Sequence, residues 1–187
     1  MNEEIAKAYF EEVCGYMVRT GFYFKKVRKQ RSGKEKGGAG PADIDLLIMH
    51  PNPDSAKYKA FTDRYGAKAM VSVKGWHQEP ETHRIAGNAL ATIDRACSSL
   101  FGDPQASKYA KEYFGNDGFR KLLVISRLDT RFKKEQEEHA LKRYGASVIE
   151  FREVICELLE RIEHRTYFPE SEILQTIKLM SKYVLNR

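Results

Sequence analysis

The sequence predicts an α/β fold in which a mixed central β-sheet is flanked by helices, and three observations carry that prediction. Segments with apolar residues at three- and four-residue steps interleave with short alternating or wholly aliphatic runs, the signatures of helices and strands. Three strand signals follow one another directly, as in a β-meander, and the later ones alternate with helix signals. The order α-β-β-β-α, then β-α-β and further helices, is that of an α/β sandwich. With 187 residues, 42% hydrophobic and 31% charged, the chain is long enough for one domain with a true core and short of two.

Residues 2–20 read as the first helix, because Ile5, Tyr9, Val13, Tyr16 and Met17 recur at helical spacing and Gly21 ends the run. Residues 22–29 alternate aromatic or aliphatic with basic side chains, as a strand with one wet face does. Ser32, Gly33, Gly37, Gly38, Gly40 and Pro41 mark a loop; a second strand is expected over 43–49, ended by Pro51 and Pro53. Lys68–Lys74 forms a third, bounded by Gly66 and Gly75. Pro80 opens a helix running to about residue 100, whose small buried face (Ala86, Ala89, Ala96) lets it lie close against a sheet. After a break at 102–104, a short helix is expected over 107–114. A buried central strand is then expected over 121–127, a charged helix over 133–143 and a last strand over 146–151. Two carboxy-terminal helices, over about 152–187, are split by Pro169. Their apolar residues, among them Ile173, Leu174 and Ile177, could form a homodimer surface, but covering the core is the expected use.

The longest apolar runs, 46–49 and 122–125, fall far below the ~20 residues that cross a bilayer. The amino terminus opens on Glu3 and Glu4, so neither a membrane span nor a signal peptide is expected. Cys14, Cys97 and Cys156 lie far apart with no CxxC spacing, which argues against a disulfide framework or a cysteine zinc site and for a reducing, cytoplasmic setting.

The net charge is +6, but it is unevenly placed. Between positions 19 and 36, eight basic residues (Arg19, Lys25, Lys26, Arg28, Lys29, Arg31, Lys34 and Lys36) stand against one acid, Glu35, a net +7. A basic stripe on an otherwise near-neutral chain is the footprint of a protein that touches a polyanion, because neutralising phosphates releases counterions. Nucleic acid is therefore the expected partner, with Lys25 to Lys36 as its contacts. Such contacts do not by themselves report the sugar.

Two of the strands carry polar groups that a core strand avoids. In Asp43-Ile44-Asp45-Leu46-Leu47-Ile48, period-two geometry puts both aspartates on one face, just ahead of three aliphatic residues. In Val71-Ser72-Val73-Lys74-Gly75-Trp76 it puts Ser72 and Lys74 together. If the two strands are neighbours, Asp45 faces Ser72 and Lys74. An Asp and a Lys so held, beside an acid from the first helix, suit a hard cation: carboxylates bind Mg²⁺, and the ammonium orients or helps deprotonate a water and offsets phosphate charge. The competing use of the same residues is a plain Asp45–Lys74 ion pair, a poor stabiliser when buried.

These elements, with Gly37-Gly38-Ala39-Gly40-Pro41-Ala42-Asp43-Ile44-Asp45-Leu46-Leu47 followed by Val71-Ser72-Val73-Lys74-Gly75-Trp76, resemble the PD-(D/E)xK nuclease superfamily of restriction endonucleases, Holliday-junction resolvases and Mrr-like enzymes. The resemblance covers about residues 3–151. It implies a restriction-endonuclease-like three-layer sandwich and hydrolysis of DNA phosphodiesters with Mg²⁺ (or Mn²⁺). Asp45 matches the family's metal-binding aspartate and Lys74 its catalytic lysine. Ser72 stands where the family has Asp or Glu. Some restriction enzymes of SxK form draw the missing acid from the next helix, where Glu81 is the nearest candidate. A helix-one glutamate completes many such sites; helical projection favours Glu12, at the edge of the apolar face, with Glu11 as the alternate. The expected function is thus a Mg²⁺-dependent endonuclease using Asp45, Lys74, Glu12 and Ser72, with Asp45, Glu12 and Glu81 at the metal. The rival is a nucleic-acid-binding or assembly protein that has kept the fold and lost an acid at position 72.

Other residues carry less. His50, His77 and His83 bracket the site without a zinc-ligand spacing, and Trp76 is expected to seal the sheet edge. Residues 37–40 are not a Walker loop, since no Gly-Lys-Ser/Thr follows, and no GxSxG elbow is present.

Overall fold

One glycine decides where the amino-terminal helix stops, and a second turns the chain after the strand that follows. In the computed structural model, which describes residues 1–25, 41–75, 86–163 and 171–180, Gly15 and Gly21 have φ of 75° and 80°, in the left-handed region that glycine adopts without strain. Helix α1 (Asn2–Ala8) continues into a π-helical turn at Tyr9–Val13 and then breaks. The helix expected over 2–20 therefore ends at 13. Met17–Arg19 is a strand instead, β1, with Met17 and Arg19 outward and Val18 partly buried.

β1 is the edge of a five-stranded sheet of order β1-β4-β5-β6-β7, where β4 is Leu46–Met49, β5 Lys68–Lys74, β6 Arg120–Ile125 and β7 Ala146–Glu150. β1, β4 and β5 pair antiparallel, whereas β5, β6 and β7 pair parallel. The sheet is mixed, as expected, but the meander has different members. The strand expected over 22–29 is described only as β2 (Phe22–Lys25), which leaves the main sheet and pairs with β3 (Pro41–Ile44) in a separate two-stranded ribbon. The strand expected over 43–49 is likewise divided, with Asp45 at the bend between β3 and β4.

Helices cover both faces of the sheet, and strand alternation sorts the core accordingly. Leu46, Ile48, Val71, Val73, Leu122 and Val124 face α1 and the carboxy-terminal helices α6 (Phe151–Glu163) and α7 (Glu172–Met180), whose Leu158, Ile162 and Leu174 are buried there. Leu47, Met70, Leu123 and Ile125 face α3 (Ala86–Ser98), α4 (Pro104–Phe114) and α5 (Lys133–Tyr144). α3 presents the small face read from the sequence, with Ala89 and Ala96 buried. α4 starts earlier than expected because Asp103 caps it, accepting a hydrogen bond from the Gln105 N–H at 2.9 Å with Pro104 in the first turn. The periodicity does not predict α2 (Lys59–Tyr65).

Two polar clusters tie the helices together. Asp94 of α3 meets His139, Arg143 and Tyr144 of α5 at 2.8, 2.7 and 3.0 Å. On the opposite face, the buried Tyr9 hydroxyl donates to Glu157 at 2.6 Å and lies 2.8 Å from the Tyr65 hydroxyl, joining the π-helical turn, α6 and α2. Among the described residues, no helix is long and apolar enough to cross a membrane.

Candidate active site

The β4–β5 register pairs Leu46 with Val71, so Asp45, one residue earlier, lies beside Ser72. The bend at Asp45 takes it out of the β4 ladder and turns its carboxylate toward β5. Its Oδ2 accepts three hydrogen bonds, from the Ser72 hydroxyl at 3.1 Å, the Val73 N–H at 2.5 Å and the Lys74 ammonium at 3.1 Å. Asp45 is only 6% exposed and Ser72 fully buried, while the Lys74 side chain is 29% exposed. A buried carboxylate is tolerable only when so supplied with donors. Lys74, the last residue of β5, thus joins a buried anion to open solvent.

The amino terminus of α1 packs over the same end of β5. Asn2 lies against Gly75, where a β-carbon would overlap its carboxamide unless the Asn2 side chain moved aside. That contact sets the place of Glu3. Partial burial raises the Glu3 pKa, the negative charges of Asp45 and Asp43 raise it further, and Lys74 opposes them. Glu3 is therefore the helix-one acid whose charge is coupled to those of Asp45 and Lys74.

Glu12 is not brought to this site. It lies nine residues further on, roughly 13 Å along a helix axis, in the π-helical turn, where its carbonyl accepts from Arg161 of α6 at 3.3 Å. Glu11 pairs with Lys7 at 3.9 Å. Helical projection ranks acids by angle around the axis, whereas this site selects by position along it. The readable signal for Glu3 was its place beside Asn2 at the helix start, opposite a strand ending in Lys74-Gly75.

Asp43 is exposed on β3, paired with Tyr23. It does not share a strand with Asp45, contrary to the period-two reading, but its charge reaches Glu3. His50 sits at the other end of β4, buried between Tyr16 and Tyr58 at ring-centroid distances of 5.1 and 4.9 Å, and does not bracket the site. Lys25 ends β2 opposite Pro41. Glu81, Trp76, His77, His83 and the basic residues Lys26, Arg28, Lys29, Arg31, Lys34 and Lys36 lie outside the described residues.

Among the described residues, no three His, Cys, Asp or Glu side chains cluster as a ready-made metal centre. Mg²⁺ does not require one, because it is commonly held by one or two carboxylates with water and substrate phosphate completing the shell. Asp45 and Glu3 supply that number of hard oxygen donors. The three described donors to Asp45 all go to Oδ2, leaving Oδ1 for a ligand. Ser72 is committed as a donor to Asp45. By donor chemistry alone, Asp45 and Glu3 suit a Mg²⁺ site of two carboxylates. Compared with protein families, curated proteins and solved structures, the chain has no significant match.

Proposed function

We propose that this chain is a Mg²⁺- or Mn²⁺-dependent nuclease that hydrolyses phosphodiester bonds, DNA being the expected substrate, on a restriction-endonuclease-like version of the α/β sandwich. The observation that carries the reading is the convergence of Asp45, Lys74 and Glu3 at one end of β5, where an antiparallel meander meets a parallel pair. Asp45 Oδ1 and Glu3 would hold the cation, which when bound supplies Lewis acidity toward the phosphate and lowers the pKa of a water. The Ser72 hydroxyl and Val73 N–H fix the Asp45 carboxylate in one orientation. Lys74, anchored on Asp45 but partly exposed, orients the attacking water or offsets charge on a phosphate oxygen. The +7 segment between residues 19 and 36 supplies the attraction for a polyanion.

A second reading has one observation in its favour. Position 72 holds a serine already bonded to Asp45, so a nucleic-acid-binding or assembly protein without cleavage would have this same arrangement. Calorimetric titration with Mg²⁺ and Mn²⁺ separates the two. Under the nuclease reading the wild type binds at millimolar metal or tighter, and Asp45→Asn and Glu3→Gln each weaken binding about tenfold or more. A wild type that gives no binding heat at millimolar metal supports the second reading.

A further inference from the structure

Tyr23 is 68% exposed in the middle of β2, although its neighbour Phe22 packs against the core. Alternation along the strand sends the two rings to opposite faces. Among the described residues, Tyr23 has no ring contact and no hydrogen bond, so its aromatic surface is not spent on packing. Its register partner is Asp43. Directly opposed residues of an antiparallel ribbon share a face, with β-carbons ~4.5–5.5 Å apart. Asp43 lies two residues before Asp45, on the strand that runs into the Asp45 bend. Tyr23 therefore stands at the rim of the candidate site, beside an acid that would repel a phosphate. A phenol ring there offers a π-face, which suits a nucleobase. By sequence alone, the segment between residues 19 and 36 carries a net +7, which would attract a polyanion.

We infer that Tyr23 is a base-stacking platform at the mouth of the Asp45–Lys74 site, so that the substrate class is nucleic acid with an unpaired base beside the phosphate to be cut, as in a single strand, frayed end or flap. This rests on the proposed nuclease reading for its orientation. Stacking on a protein ring is tolerant of sequence, because every base has a π-face.

Fluorescence anisotropy in EDTA, which blocks cleavage, tests it with two probes of equal length: oligo-dT and an abasic strand carrying the same phosphates. Tyr23→Ala is expected to weaken oligo-dT binding about tenfold and abasic binding less than twofold. Tyr23→Phe, which keeps the ring, should stay within about twofold of wild type on both. Equal losses on the two probes, no loss on either, or no binding of either probe by wild type overturns the inference. Cleavage of oligo-dT and of duplex DNA with Mg²⁺ or Mn²⁺ is measured in parallel. If wild type cleaves but Tyr23→Ala binds oligo-dT unchanged, stacking fails and the nuclease reading stands. If wild type cleaves neither oligo-dT nor duplex DNA with Mg²⁺ or Mn²⁺ but the selective loss appears, stacking stands and the nuclease reading falls.

Discussion

Lys74 Nζ lies 3.1 Å from Asp45 Oδ2, joining residues from neighbouring strands at the one point where the β3–β4 chain bends. The pair is asymmetric: the carboxylate is buried and the ammonium partly exposed. A pair selected for stability alone gains little from such burial. As a site, it holds a negative charge in place for a cation and leaves a positive one within reach of a substrate.

Asp45→Ala removes the acceptor for the buried Ser72 hydroxyl and Val73 N–H. Leaving such donors unsatisfied costs about 1–3 kcal/mol. Asp45→Asn keeps a carbonyl acceptor and should cost clearly less. Urea unfolding of both variants checks this, and equal losses would contradict the geometry described for Oδ2.

Ser72→Glu would place a second acid beside Asp45 at a fully buried position. Without metal the variant should be less stable than wild type, because two buried carboxylates repel. Mg²⁺ at about ten times its Kd should return about 1.4 kcal/mol. Thermal melts with and without Mg²⁺ read the effect, and a Tm insensitive to metal would count against a cation site at Asp45.

Gly15→Ala tests the boundary between α1 and β1. The position has φ of 75°, and a β-carbon would press on the Tyr58 ring. A non-glycine residue held in that region costs of order 1–3 kcal/mol, measurable by denaturant unfolding. A neutral substitution would argue for a helix continuing through residue 15.

Asp94 gives a pH dependence remote from the site. Burial raises its pKa, but hydrogen bonds from His139 and Tyr144 and the charge of Arg143 outweigh it, holding the carboxyl below its ordinary value of 3.8. A group with a lowered folded-state pKa stabilises fully above its unfolded value, and the contribution fades as pH falls through the folded one. The stability difference between wild type and Asp94→Asn should therefore shrink as pH falls below about 4. Urea unfolding across that range checks it, and a difference unchanged at pH 3 would contradict the assignment.

The strand Lys68–Lys74 was legible to the residue because Gly66 and Gly75 bound a short run rich in apolar residues. Its partnership with Asp45 was legible as a conditional, since Ser72 and Lys74 share a strand face and call for an acid on a neighbouring strand. What local pattern could not carry was tertiary. Tyr16 and Met17 fit a helix by spacing, and only the left-handed backbone at Gly15 turns that spacing into a strand. Nor did any local cue show that Phe22–Lys25 leaves the main sheet to pair with Pro41–Ile44. Choosing Glu3 over Glu12 required knowing which end of α1 lies over Gly75, a fact of packing.

The most direct measurement is a phosphodiester cleavage assay on single-stranded and duplex DNA with Mg²⁺ or Mn²⁺, comparing wild type, Asp45→Asn and Lys74→Ala after each is confirmed folded. The nuclease assignment predicts metal-dependent cleavage by wild type, reduced about a hundredfold or more in either variant, with DNA binding retained. Equal cleavage by all three proteins, or none by folded wild type with either metal, would contradict it.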